Sequence, residues 1–115
     1  MKYMILIYGE EGGWASMAPA EQAEAMEKYF AYSDALAKAG KAVSGHELAP
    51  TTTAKTVKVR DGAPFVTDGP FADIKEQLGG YYLIEADDEA DAVAWAAKCP
   101  GAHHGTVEVR PVLEH

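Results

Sequence analysis

Cysteine is almost absent from this sequence: its 115 residues contain one, Cys99. An internal disulfide is therefore excluded, and a reducing compartment, the cytoplasm, is the expected setting. Long apolar runs are lacking too. The opening Met1-Lys2-Tyr3-Met4-Ile5-Leu6-Ile7-Tyr8 falls far short of the roughly 20 residues a membrane span needs, and it does not have the layout of a secretory leader. Positive charge is scarce: ten Lys and Arg face eighteen Asp and Glu, for a formal net charge of −8. A partner of nucleic acid or of an anionic membrane needs a basic face to displace phosphate counterions, so neither partner is expected. No linker, repeat or low-complexity tract interrupts the chain, and its length fits one domain.

What is present suffices for a core. Apolar residues make up 48% of the chain, with six Tyr, three Phe and two Trp as bulky packing groups, so no disulfide or metal staple is required. Residues 2–8 are β-rich and mostly apolar, the pattern of a strand covered on both faces. Gly9 and Gly12-Gly13 break it, and a loop carrying Glu10, Glu11 and Trp14 leads to Pro19, which suits a first helical turn. From Pro19 to about Ala39 the spacing predicts a helix. Met26, Tyr29, Phe30, Ser33, Leu36 and Ala37 form its core stripe, and Gly40 its stop.

Residues 41–48 read as a strand ended by Pro50. Ala54 to Arg60 alternates, Val57 and Val59 against Lys58 and Arg60; Asp61-Gly62 is a hairpin turn, and Pro64 to Thr67 the returning arm. Asp68-Gly69-Pro70-Phe71 reads as a second turn, followed by a polar segment, Ala72 to Gln77, and a further turn at Gly79-Gly80. Tyr81 to Ala86 is the next strand. Asp87 or Asp88 caps a helix whose apolar face is Ala90, Val93, Ala94 and Ala97. Cys99-Pro100-Gly101 stops that helix, and Thr106 to Val112 is a closing strand.

This order makes the chain an α+β, ferredoxin-like βαββαβ domain with a β-hairpin insertion: an antiparallel sheet with two helices on one face. The opposite sheet face has no helix to cover it, and a broad bare apolar face is an association hazard. Face-to-face pairing into a homodimer resolves it and encloses a cavity for a small-molecule ligand.

Several residues could carry chemistry there. Asp68 is either a carboxylate at the cavity rim, binding a polar ligand or acting as a base, or an Asx-turn former ahead of Gly69-Pro70. Lys75 and Glu76 either set a cation and an acid beside that cavity or form a solvated surface pair. His46, between Gly45 and Glu47, is the best general base if it faces the cavity, because an imidazole ordinarily titrates near neutrality; the alternative is a polar interface histidine. Glu47 points the other way along a strand. Tyr8, Tyr29, Tyr81 and Tyr82 are candidates to line an aromatic pocket, although alternation puts Tyr81 and Tyr82 on opposite faces, and Tyr29 also fits as core filler. Cys99, His103 and His104 have neither the spacing nor the additional ligand of a metal site, so no metal is expected. Neither glycine pair makes a phosphate loop.

The stretch Asp68-Gly69-Pro70-Phe71-Ala72-Asp73-Ile74-Lys75-Glu76-Gln77-Leu78-Gly79-Gly80-Tyr81-Tyr82 resembles the signature of the YCII-related family, DGPF-domain branch. Met1-Lys2-Tyr3-Met4 with Ile7-Tyr8-Gly9, and Cys99-Pro100-Gly101-Ala102 with Gly105-Thr106-Val107-Glu108-Val109-Arg110-Pro111-Val112, are similar to the same branch. The resemblance spans residues 1–112; Leu113-Glu114-His115 look like the start of a purification tag. It implies a dimeric α/β barrel of ferredoxin-like units. Most members of the branch have no assigned activity, while some wider relatives are dehydrochlorinases for which a His–Asp acid/base pair is proposed. Those two positions fall at Tyr29 and Cys99 here, so the pair does not carry over. Other members are linked to extracytoplasmic-function sigma factors. The expectation is a cofactor-free lyase or dehydrochlorinase-like protein using Asp68, His46 and a tyrosine. The alternative is a non-catalytic regulatory module that meets a protein such as a sigma factor.

Overall fold

The first strand sets the frame. In β1 (Lys2–Gly9), alternate side chains Tyr3, Ile5 and Ile7 turn to one side and enter or flank the core. In this computed structural model, which describes all 115 residues, nine further elements follow. They are α1 (Glu11–Ala15), α2 (Pro19–Lys38), β2 (Ala42–Glu47), β3 (Lys55–Arg60), β4 (Ala63–Asp68), β5 (Gln77–Glu85), α3 (Glu89–Ala97), α4 (Gly101–His104) and β6 (Thr106–Pro111). The strands form a four-stranded antiparallel sheet in the order β2-β5-β1-β6 and a separate two-stranded sheet, β3-β4. This is the ferredoxin-like α+β arrangement with the β-hairpin inserted between β2 and β5.

Local chemistry accounts for the helix ends. Pro19 opens α2, and the Glu21 carboxylate accepts from the Ala18 N–H at 3.3 Å. Ala18 has no side-chain oxygen to return the bond, so only half of a capping box forms. At the other end Gly40 takes φ +72°, its N–H bonds Ala37 O, and the Lys41 N–H bonds Leu36 O. This is the paired bonding of a Schellman stop. Asp88 caps α3 by accepting from the Asp91 N–H at 2.8 Å. Asp91 in turn accepts from Lys41 Nζ at 2.7 Å, fastening α3 to the start of β2.

The core lies between the sheet and the two long helices: Tyr3, Ile5, Ile84, Tyr32, Leu36, Ala92, Ala96 and Cys99, with Ala86 at its edge. Tyr32 joins the helices, its hydroxyl donating to Trp95 O at 2.8 Å. Only 11 of 115 residues are buried, so most of the apolar content stays at the surface. The molecule is a slab 18 Å thick with a radius of gyration of 16.1 Å, against roughly 13 Å for a domain of about this length. The excess comes from β3 and β4, which pack on each other and make no substantial packing with the body. No helix is long and apolar enough to cross a membrane.

Several expectations need correction. Gly12-Gly13 sit inside the short helix α1, and Gly79-Gly80 lie within β5. Pairing of β5 with β1 and β2 overrides the local turn signal. The α2 stripe is rotated: Tyr32 is buried and Phe30 is 66% exposed, because the Tyr32 ring meets Tyr82 edge-on at 5.2 Å and its hydroxyl finds a partner on α3. After the Cys99 stop the chain turns once more as α4. β1 is helix-covered on one face only; Met4, Leu6 and Tyr8 stay half-buried on the other.

Candidate functional site

Antiparallel register fixes which side chains meet on the helix-free face. One row across the sheet reads His46, Tyr81, Leu6, Glu108; the next reads Ser44, Leu83, Met4, Arg110. Apolar side chains hold the two central strands and polar ones the edges. The turned end adds Tyr8 beside Thr106. Within this frame His46 Nδ1 and the Tyr81 hydroxyl are 2.8 Å apart, with ring centroids 5.7 Å apart at 43°. The contact exists because residues paired across a strand ladder share a face. Glu47 pairs with Gly80 and turns to the helix side, so it does not orient the imidazole.

Behind the sheet lies a second polar cluster. The Tyr82 hydroxyl and Ser33 Oγ are 2.9 Å apart, and the Tyr82 ring occupies space above Gly45. A Cβ at Gly45 would come within 2.8 Å of a ring carbon. Tyr29 packs against the same core. Burial pushes its phenol up to about 12, with Cys99, Tyr82 and Glu47 adding to the shift. Burial likewise raises Tyr32, with Cys99 and Tyr82 adding. It raises Tyr82 against the opposing bond to Ser33, and Cys99 against bonds from the Gly101 and Ala102 N–H groups. Tyr29 and Cys99, expected from the resemblance to stand where some relatives have a His–Asp pair, lie close enough for Cys99 to act on the Tyr29 phenol. Both groups are held protonated at neutral pH, so neither is itself a proton acceptor.

The remaining candidates are dispersed. Asp68 lies at the root of the β3-β4 hairpin, on a different sheet from His46, and its carboxylate is held by Lys55 Nζ. Lys75 and Glu76 do not pair with each other: Lys75 Nζ reaches Glu10 at 3.3 Å, and Glu76 accepts from Thr106 Oγ1 at 2.6 Å. Glu76 thereby borders the Tyr8 end of the open face. Cys99 is buried, while the His103 ring nitrogen Nε2 lies 3.1 Å from Ala97 O. Glu108 and Arg110 share the His46–Tyr81 face and were not among the sequence candidates, although their alternation against Val107 and Val109 carried the signal.

Two concavities lie away from the open face. A groove of about 580 Å³ runs between α2 and the α3–α4 end, with Tyr32, Trp95, Lys98 and His104 in its lining. One of about 300 Å³ sits on the hairpin beside Lys58 and Phe71. The open face carries polar groups at its edges around an apolar centre.

Comparison with known proteins agrees with this architecture. The profile of the YCII-related domain matches residues 1–115. An uncharacterised Rhizobium meliloti (strain 1021) protein, R00369, is 35% identical over 114 residues, covering 97% of this chain and 92% of the relative. Among solved structures, TftG of Burkholderia phenoliruptrix AC1100 superposes with a TM-score of 0.57 at 14% identity, over 100% of this chain and 96% of the other. That structure is a 5-chloro-2-hydroxyhydroquinone dehydrochlorinase in complex with 2,5-dihydroxybenzoquinone. At this identity the likeness speaks for the fold.

Proposed function

This chain belongs to the YCII-related family, and on that premise we propose that it acts as a homodimer holding a small hydroxylated or aromatic molecule against the open sheet face. His46 and Tyr81 are its proton-moving pair. The observation that carries this reading is the 2.8 Å contact between His46 Nδ1 and the Tyr81 hydroxyl on a face whose centre is apolar. A phenol bonded to an imidazole can accept a substrate proton as the imidazole takes the phenol's own, so charge moves without a cofactor. Met4, Leu6 and Leu83 supply the flat apolar floor for a ring, and Tyr8 a further hydroxyl. An elimination fits this equipment: the pair removes a proton while a leaving group departs from the neighbouring carbon. TftG, with its chlorinated hydroquinone substrate and bound quinone, supports a hydroxylated six-membered ring as the ligand class to try first.

The test is titration of 2,5-dihydroxybenzoquinone and chlorinated hydroquinones into the protein, followed by assay for released chloride. His46→Gln and Tyr81→Phe should each lower turnover on the order of 10²-fold while leaving the circular dichroism spectrum unchanged. Turnover at the wild-type rate in both variants would remove the pair from the chemistry.

A further inference from the structure

The β3-β4 hairpin is an exposed arm with one mixed polar and aromatic face and one mainly aliphatic face. Strand alternation puts Thr56, Lys58, Arg60, Phe65 and Thr67 on the first face, where the Lys58 ammonium lies 5.4 Å from the centre of the Phe71 ring. The second face holds Val57, Val59, Pro64 and Val66, with the Lys55–Asp68 ion pair at its root. Val57, Val59 and Val66 are 59%, 67% and 55% exposed. A two-stranded hairpin without a third layer is marginal in water, so this face needs a cover that the chain's own body does not provide.

We propose that the aliphatic face of the arm docks over the open sheet face of a second copy, so that each chain's arm completes the other's candidate site. The proposal rests on the reading that the chain pairs through that sheet. Interface size favours it. Four strands of six to nine residues offer a footprint of about 400 to 500 Å², whereas stable interfaces bury about 800 Å² per partner; one arm from each partner adds about 200 Å² by the same measure and narrows the difference. The docking face itself is neutral, its charges being the paired Lys55 and Asp68, while Lys58 and Arg60 lie on the other face; it therefore sets no uncompensated charge against the partner's sheet face. Asp68 shares the docking face, so exchange brings its carboxylate and Lys55 to the rim of the partner's His46–Tyr81 site, a meeting that a single chain does not make.

Sedimentation equilibrium over a dilution series tests this, with hydrogen exchange of the arm amides as an independent readout on the wild type. A Val57→Asp/Val66→Asp double variant should dimerise at least tenfold more weakly with an unchanged circular dichroism spectrum. Arm amides of the wild type should exchange more slowly as concentration rises. Leu83→Arg, on the sheet face, tests the pairing itself. A wild type that stays monomeric at every concentration overturns both the pairing and the arm exchange. If Leu83→Arg breaks the dimer while the arm variant dimerises as tightly as wild type and arm exchange ignores concentration, only the arm proposal falls.

Discussion

β1 in the body and β3 in the arm follow the same alternating rule with opposite results. Tyr3 and Ile5 of β1 are essentially inaccessible, whereas Val57 and Val59 of β3 are more than half exposed. Alternation decides only that one face of a strand is apolar; burial depends on whether another layer lies over that face. The body has α2 and α3 for this purpose, fastened by the bond from the Tyr32 hydroxyl to Trp95 O and by Lys41 on Asp91. The arm has only its own partner strand. A region whose apolar face is uncovered contributes little to the stability of one chain.

The sharpest way to break this comparison is truncation in each region. Leu36→Ala, in the body core, should cost about 2–5 kcal/mol in denaturant unfolding. Val66→Ala, measured at dilution, should cost no more than about 1 kcal/mol. Equal losses would mean that the arm is part of the cooperative unit.

A smaller effect concerns the Lys41–Asp91 link, whose side chains are 19% and 24% exposed. The bond from Lys41, aided by the Asp87 N–H, holds the Asp91 carboxyl below its usual range. The unfolded chain therefore takes up this proton first on acidification. The contribution is complete above roughly pH 4 and fades as pH falls through the lower folded value. Asp91→Asn should flatten the acid limb of the stability profile, and arm amide exchange should not follow it.

The smallest effect is alkaline. Tyr29 titrates at about 12 when folded and near 10 when unfolded. The folded state keeps a proton that the unfolded state releases, so this contribution is full below about pH 10 and disappears by about 12. Tyr29→Phe should remove a late step in the phenolate absorbance titration, ahead of that of Tyr32, and the matching loss of stability.

Much of the fold is legible locally. Pro19, Gly40, Asp88 and the Asp61-Gly62 turn, where both residues take positive φ, each act through their own backbone neighbours. The failures occur where distant partners outvote the local preference. Gly79 and Gly80 read as a turn, but β1 and β2 hold them in a strand, with a register shift at Ile7/Tyr8. Phe30 and Tyr32 lie nearly opposite each other around a helix, so one must face away from the core. Spacing alone favoured Phe30, and the hydrogen bond across to α3 decided for Tyr32. The site is less legible still. His46 and Tyr81 are separated by 35 residues and an inserted hairpin, and nothing local announces that they pair.

By itself the sequence determined that this is an acidic α+β chain with ferredoxin-like element order, one apolar face per strand and a hairpin between the halves. These follow from periodicity, turn residues and charge, all properties of near neighbours. The tertiary structure alone decided that His46 meets Tyr81, that Tyr29 and Cys99 are held neutral beneath the helices, and that the valine face of the arm is left bare. Each depends on strand register and layer packing, where one residue of slip turns a side chain to the opposite face.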